Sequence, residues 1–320
     1  DKFNIDDNRV FMGGFSDGAS GSFHHAMVSP TSFAAFLAFN GHMGVGGLSG
    51  GHQLYPQNLR FRPVRVTSTD LDYFYPTKMI EPMINFVQSI GADVHYQKYF
   101  NIGHEFDFNI EEIPKTDFFL KQQKRVAYPL NLEWKTNNPL FGSFHWIDIN
   151  TIGSEKRSMW HRDFNHNVAS ERFSFGITLD ENYEGEGVKI FRVKTESLGE
   201  KLKLKKDDLI IKINNKTINT PNQLWDSQVP IGGGQFFEIT YLRNSQTFKT
   251  SSKTPDIAFY DLFNHKKKSG AIRASKLDNA FFIETSHVSS FSIKIHPEYI
   301  DYNKLVTINL NGKIIYHKKV

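Results

Sequence analysis

The residue best suited to chemistry is Ser16, in the run Gly14-Phe15-Ser16-Asp17-Gly18. The run fits G-x-S-x-G, the pattern of a nucleophilic serine on a sharp strand-to-helix turn. Its flanks suit that role. Arg9–Phe15 is a short apolar stretch that reads as a strand, and Ser16–Val28 is rich in small residues and compatible with a helix. Glycine two positions before and two after the serine leaves room for the turn, where bulky side chains would collide. The Asp17 N–H, next to the nucleophile at the helix start, can stabilise an oxyanion. An acid and then a histidine should follow in chain order. Asp70 and Asp72 both lie just after a strand-like Pro63–Ser68, on a loop where an orienting carboxylate belongs. His104 follows a strand-like Asp93–Phe100 in the loop Asn101-Ile102-Gly103-His104-Glu105-Phe106. There its imidazole can take the Ser16 proton and pass it to a leaving group.

The surrounding pattern supplies elements to hold these residues. Phe33–Asn40 reads as a second strand, followed by a Gly-rich loop from Gly41 to Gly51. Thr77–Ile90 places Met79, Ile80, Met83, Ile84, Val87 and Ile90 on one helical face, and Gly91 stops it. Strand, helix, strand, helix in this order predicts a parallel sheet over residues 1–124. After Lys124 the chain turns to strands, at Tyr128–Thr136 and Ser143–Ile149, then to a compact α+β block, then to strands again from Ala271 onward. Asn311-Gly312 is a hairpin signal.

The stretch Asn4–Pro30 resembles the nucleophile strand and helix of α/β-hydrolase serine esterases of the carboxylesterase, feruloyl esterase and polyhydroxybutyrate-depolymerase type. Asp72, Tyr75-Pro76 and Gly103-His104 extend the likeness to about residue 124. The resemblance implies Ser16 as nucleophile, His104 as base and Asp72, rather than Asp70, as acid. That family has several strands ahead of its nucleophile strand, and a loop there supplies the second oxyanion donor. The expectation is therefore that this sequence starts partway into the hydrolase, with the N-terminal half absent or supplied by another polypeptide. The nucleophile strand would then carry an unpaired edge.

Residues 174–252 resemble a bacterial-type PDZ domain. Gly187–Val193 reads as a strand, Glu196–Lys201 as a turn and short helix, and Leu204–Asn215 is similar to that family's "GLKxGDxIxxING" run. Asp207 and Asn215 stand where the family has glycine, and both residue types tolerate positive φ. Phe175-Gly176-Ile177 resembles the loop whose amides hold a peptide's terminal carboxylate, with the peptide adding as a strand. The segments 125–173 and 256–320 are expected to form two parts of one β-sandwich around this insertion. The second of them, 256–320, resembles the accessory β regions that follow some secreted esterases.

Composition narrows the remaining classes. The chain has 320 residues, a net charge of +4 and no cysteine. Thiolate catalysis, disulfides and Cys-based zinc sites are excluded. The basic runs Lys201–Lys206 and Lys266–Lys268 are too short for a nucleic-acid face. No apolar run nears the roughly 20 residues of a membrane span. His161, Asp163 and His166 lack a further ligand at metal spacing, so no metal and no cofactor is expected. His24-His25 read as packing or surface residues. Three functions stay open: an esterase, a peptidase of the same fold whose PDZ domain presents the peptide, or a non-catalytic binding protein. An extracytoplasmic location, periplasmic or secreted, is expected from the esterase likeness.

Overall fold

A computed structural model describes residues 4–107, 110–153, 159–170 and 172–320. The first portion is built on β1 (Phe11–Phe15), β2 (Ala35–Phe39), β3 (Val64–Thr69) and β4 (Val94–Tyr99), all parallel and in that spatial order. Helices α1 (Asp17–Val28), α2 (Val45–Gly50), α3 (Thr77–Ser89) and α4 (Glu112–Lys121) follow the four strands in turn. Parallel neighbours require such crossovers. Every residue of β3 is buried, which suits a strand paired on both sides and covered on both faces. Phe23, Met27, Phe36, Ile80 and Met83 form part of the fully buried centre, each contributing on the order of 1.5–3 kcal/mol by burial. Among the described residues β1 pairs with β2 alone and forms the sheet's edge.

Two helices depart from the sequence reading. The Gly-rich stretch 41–51 holds α2, because its glycines let the chain press on α1: a Cβ on Gly46 would meet the His24 side chain at 2.7 Å. α4 carries no apolar stripe to announce it. It is anchored instead by charge. Arg65 on β3 donates to Glu112 through Nε at 2.7 Å and Nη2 at 3.1 Å, and the Tyr99 hydroxyl adds a third bond at 2.9 Å. Burial pushes the Glu112 carboxyl up, but these donors outweigh it and hold it below the usual carboxylate range.

The next strands are β5 (Asn131–Thr136), β6 (Ser143–Phe144), β7 (Ile147–Ile152) and β8 (Asn167–Ser170). The chain then enters a separate α+β block. It contains β9 (Ile177–Leu179), β10 (Val188–Val193), α5 (Leu198–Lys201), β11 (Leu209–Ile213), β12 (Lys216–Thr217), α6 (Pro221–Asp226), β13 (Phe236–Arg243) and β14 (Gln246–Lys253). Its sheet runs β14-β13-β11-β10-β9, with β9 at the edge and β12 on β11. Phe173, Phe175, Ile190, Ile210, Leu224 and Ile239 lie in its own core. Ser197 caps α5 and Thr220 caps α6 through their side-chain oxygens. Asp207 takes positive φ (68°), as its glycine-like place requires, whereas at the second turn Asn214 (49°) does so and not Asn215.

The last strands are β15 (Ala258–Asp261), β16 (Gly270–Leu277), β17 (Ala280–Ser286), β18 (Val288–Ile293), β19 (Val306–Leu310) and β20 (Lys313–Lys318). The sheets β20-β19-β17-β16-β5 and β18-β7-β6 enclose Trp134, Phe144, Trp146, Phe281 and Ile283. Asn311 (φ 52°) and Gly312 (83°) turn β19 into β20. One ribbon lies apart from this sandwich. β8 and β15 pair with each other, Val168 opposite Tyr260, and pack on the core of the first portion with Leu262 and Phe263.

Candidate active site

Ser16 sits between β1 and α1 with φ 59° and ψ −121°, a region that costs a non-glycine residue on the order of 1–3 kcal/mol. Its N–H donates to the Phe39 carbonyl at 2.9 Å, which fixes the turn to the end of β2. A Cβ on Gly14 would overlap the Gly18 backbone, while a Cβ on Gly18 would meet nothing within 4 Å. The crowding expected on both sides of the serine therefore falls on Gly14 alone.

The turn aims Ser16 Oγ at His104, whose Nε2 is 2.9 Å away. The other ring nitrogen, Nδ1, is 2.8 Å from Asp72 Oδ2. Asp72 is fully buried, and its Oδ1 accepts the N–H groups of Phe74 (2.8 Å) and Tyr75 (2.9 Å). A carboxylate so held can accept only from Nδ1–H, which leaves Nε2 as the acceptor for the serine proton. Asp70 has a different partner. Its Oδ1 accepts the Ile102 N–H at 3.3 Å, so it ties down the loop that carries His104 without reaching the ring.

That loop is laced to the strand ends by residues the sequence reading did not single out. Thr69 Oγ1 donates to the Gly103 carbonyl at 2.7 Å, and Asn40 Nδ2 bridges Thr69 Oγ1 and the His104 carbonyl, each at 2.9 Å. Asn40 lies just past β2 at φ 50°; a lone Asn after an apolar run was the only signal. The Asp17 N–H occupies the first position of α1, where a helix offers it no acceptor. The Asp17 carboxylate accepts the Tyr75 hydroxyl at 2.6 Å. Burial first, then that bond, pushes the Tyr75 phenol up to about 12. Phe15, Phe74 and Tyr75 surround the imidazole at 4.8, 4.9 and 5.8 Å between ring centres.

Phe175 is buried in the core of the α+β block, so it contributes no side chain to a groove. Gly176 has φ 68°, and its N–H donates to Ser174 Oγ at 3.0 Å within the loop. Ile177 opens the edge strand β9. The block meets the loops that carry Asp72 and His104 directly. The Tyr73 hydroxyl donates to the Phe173 carbonyl at 2.7 Å, and Arg172 donates to the Phe74 carbonyl at 3.0 Å. His161, Asp163 and His166 do not converge. The His161 nitrogens contact Ser286 and Ser269, Asp163 accepts from Ser269, and His166 stacks on Phe86. No cluster of three or more His, Asp or Glu suited to a metal ion occurs among the described residues. His24 packs against His52 and Phe141.

Residues 167–224 match the family model of the PDZ domain. No curated protein matches the sequence. Among solved structures, the chain is similar to esterase PE8, at 20% identity over 37% of this chain and 52% of that one, with a TM-score of 0.30. It is similar to Zea mays acyl-protein thioesterase 2 at 16% identity, over 34% and 53% of the two chains, with a TM-score of 0.28. It is similar to the HtrA-type protease AlgW with decapeptide at 15% identity, over 27% and 29%, with a TM-score of 0.23. The chain thus spans about half the length of these two esterase-type structures. In the chain's own topology a serine elbow joins the first strand of a parallel sheet to its helix. The chain combines a parallel α/β portion, a mainly-β region and a block that matches the PDZ family model.

Proposed function

We propose that the protein is a serine hydrolase that cleaves a carboxylic ester through an acyl-enzyme on Ser16. The observation that carries this reading is the chain of contacts Ser16 Oγ, His104, Asp72, at 2.9 and 2.8 Å. His104 Nε2 takes the hydroxyl proton as Oγ bonds to the ester carbon. The Asp17 N–H donates to the oxyanion that forms there. His104 then returns its proton to the departing alkoxide, and the alcohol leaves. A water repeats the sequence on the acyl-enzyme and releases the acid. Phe15 and Phe74, 37% and 40% exposed beside the imidazole, favour an apolar acyl or alkyl group. The PDZ domain would take a peptide with a free C-terminal carboxylate along β9, with Ile177 at the groove's start.

A fluorophosphonate probe tests the reading. It should label the full chain at Ser16, and Ser16→Ala should remove the label. Labelling that persists in the alanine variant would assign the nucleophile elsewhere.

A further inference from the structure

Helix α6 of the PDZ domain ends at Asp226, whose carboxylate lies against Gly103. A Cβ on Gly103 would overlap that carboxylate. Gly103 does not lie at positive φ, so what its lack of a side chain provides is room for Asp226. The next residue is His104. The charged and titratable groups around Asp226 are Lys216 of β12, Asp72 of the acid loop, and His104 and Glu105 of the histidine loop. Burial, and then repulsion from Asp72 and Glu105, outweigh the attraction of Lys216 and His104 and push Asp226 up to about 6. An uncharged side chain would fill this contact at lower cost. A carboxylate offers one thing the alternatives lack: negative charge close to a ring that becomes positive during acyl transfer.

We propose that Asp226 is a positioning residue of the hydrolytic site, holding the 101–104 loop from the PDZ side and stabilising the charge that His104 acquires. The proposal rests on the reading of Ser16 as nucleophile. It makes the PDZ domain a wall of the site as well as a module for binding. Tyr73 and Arg172 secure the same wall, through Phe173 and Phe74.

The test compares fluorophosphonate labelling rates of the full chain and of Asp226→Asn between pH 5 and pH 9. Above pH 7 the variant should label about 3- to 10-fold more slowly, a difference on the order of 1 kcal/mol in barrier. The ratio should fall toward unity as the pH drops through about 6, the value to which burial pushes the Asp226 carboxyl. A merely structural role would give a ratio that does not change with pH, and either that result or a ratio of unity throughout overturns the proposal. Absence of labelling in the unaltered chain would instead sink the hydrolase reading, and the charge role with it. The contact itself is read independently by melting. Gly103→Ala should lower the transition, and adding Asp226→Ser should restore it; an unchanged melt for Gly103→Ala refutes the seating of α6.

Discussion

Replacing Ser16 with glycine should give a protein that is inactive yet more stable than the alanine variant. Both substitutions remove the Oγ–His104 bond, so that loss cancels when they are compared. Ser16 makes no side-chain cap bond to α1, so no cap is lost either. The variants differ in how they tolerate φ 59° and ψ −121°. Alanine keeps the Cβ and with it the strain, on the order of 1–3 kcal/mol. Glycine relieves it but loses more freedom on folding, which costs about 0.5–1 kcal/mol. The balance favours Ser16→Gly by about 1–2 kcal/mol, which for a domain of this size is roughly 2–8 °C in melting midpoint. Differential scanning calorimetry of the two variants at one pH would measure it. A Ser16→Ala midpoint equal to or above that of Ser16→Gly would refute the argument that the elbow stores strain.

Asp72→Asn should lower Ser16 labelling by several orders of magnitude, while Asp70→Asn should weaken it only through a looser loop; the two rates, measured side by side, decide which acid orients His104. Asp226→Asn should stabilise the chain at neutral pH. Its folded-state value of about 6 lies above the ordinary 3.8, so the stability linked to its proton is present below pH 4 and is lost as pH rises to 6. Screened for a half-buried group, the gain above pH 6 is about 1–2 kcal/mol and should vanish in melts at pH 4. Asn40→Ala should both slow labelling and lower the melting midpoint, because it leaves the Thr69 hydroxyl and the His104 carbonyl without their shared donor, a loss of about 1–3 kcal/mol.

Ser16, Asp72 and His104 could be picked out in the sequence because each carries a local mark. The serine stands between turn glycines, the acid follows a strand, and the histidine follows another. The periodic face of α3 was legible for the same reason, since Met79, Ile80, Met83, Ile84 and Val87 recur at helical spacing and all are buried. Features without local periodicity were not. α4 depends on Arg65, 47 positions before Glu112, and nothing in its own residues announces that partner. The β8–β15 ribbon joins residues about 90 positions apart and lies on the core of the first portion, where the sequence order alone grouped its strands with the sandwich. Tyr73 and Asp226 look like ordinary loop and helix-end residues until folding brings the PDZ domain against the acid and histidine loops.

The same ribbon has an engineering consequence. Ser170 and Ala258 are paired across it, so the chain leaves for the PDZ domain and returns from it at neighbouring points. The whole module is in effect a very long hairpin tip. Hairpin tips are where foreign sequence is grafted with least disturbance, and a pair of opposed strand residues can be joined by a two-residue turn. Excising residues 171–257 and joining Ser170 to Ala258 through Asn-Gly would therefore leave a continuous scaffold, and other folded modules could be spliced in at the same joint.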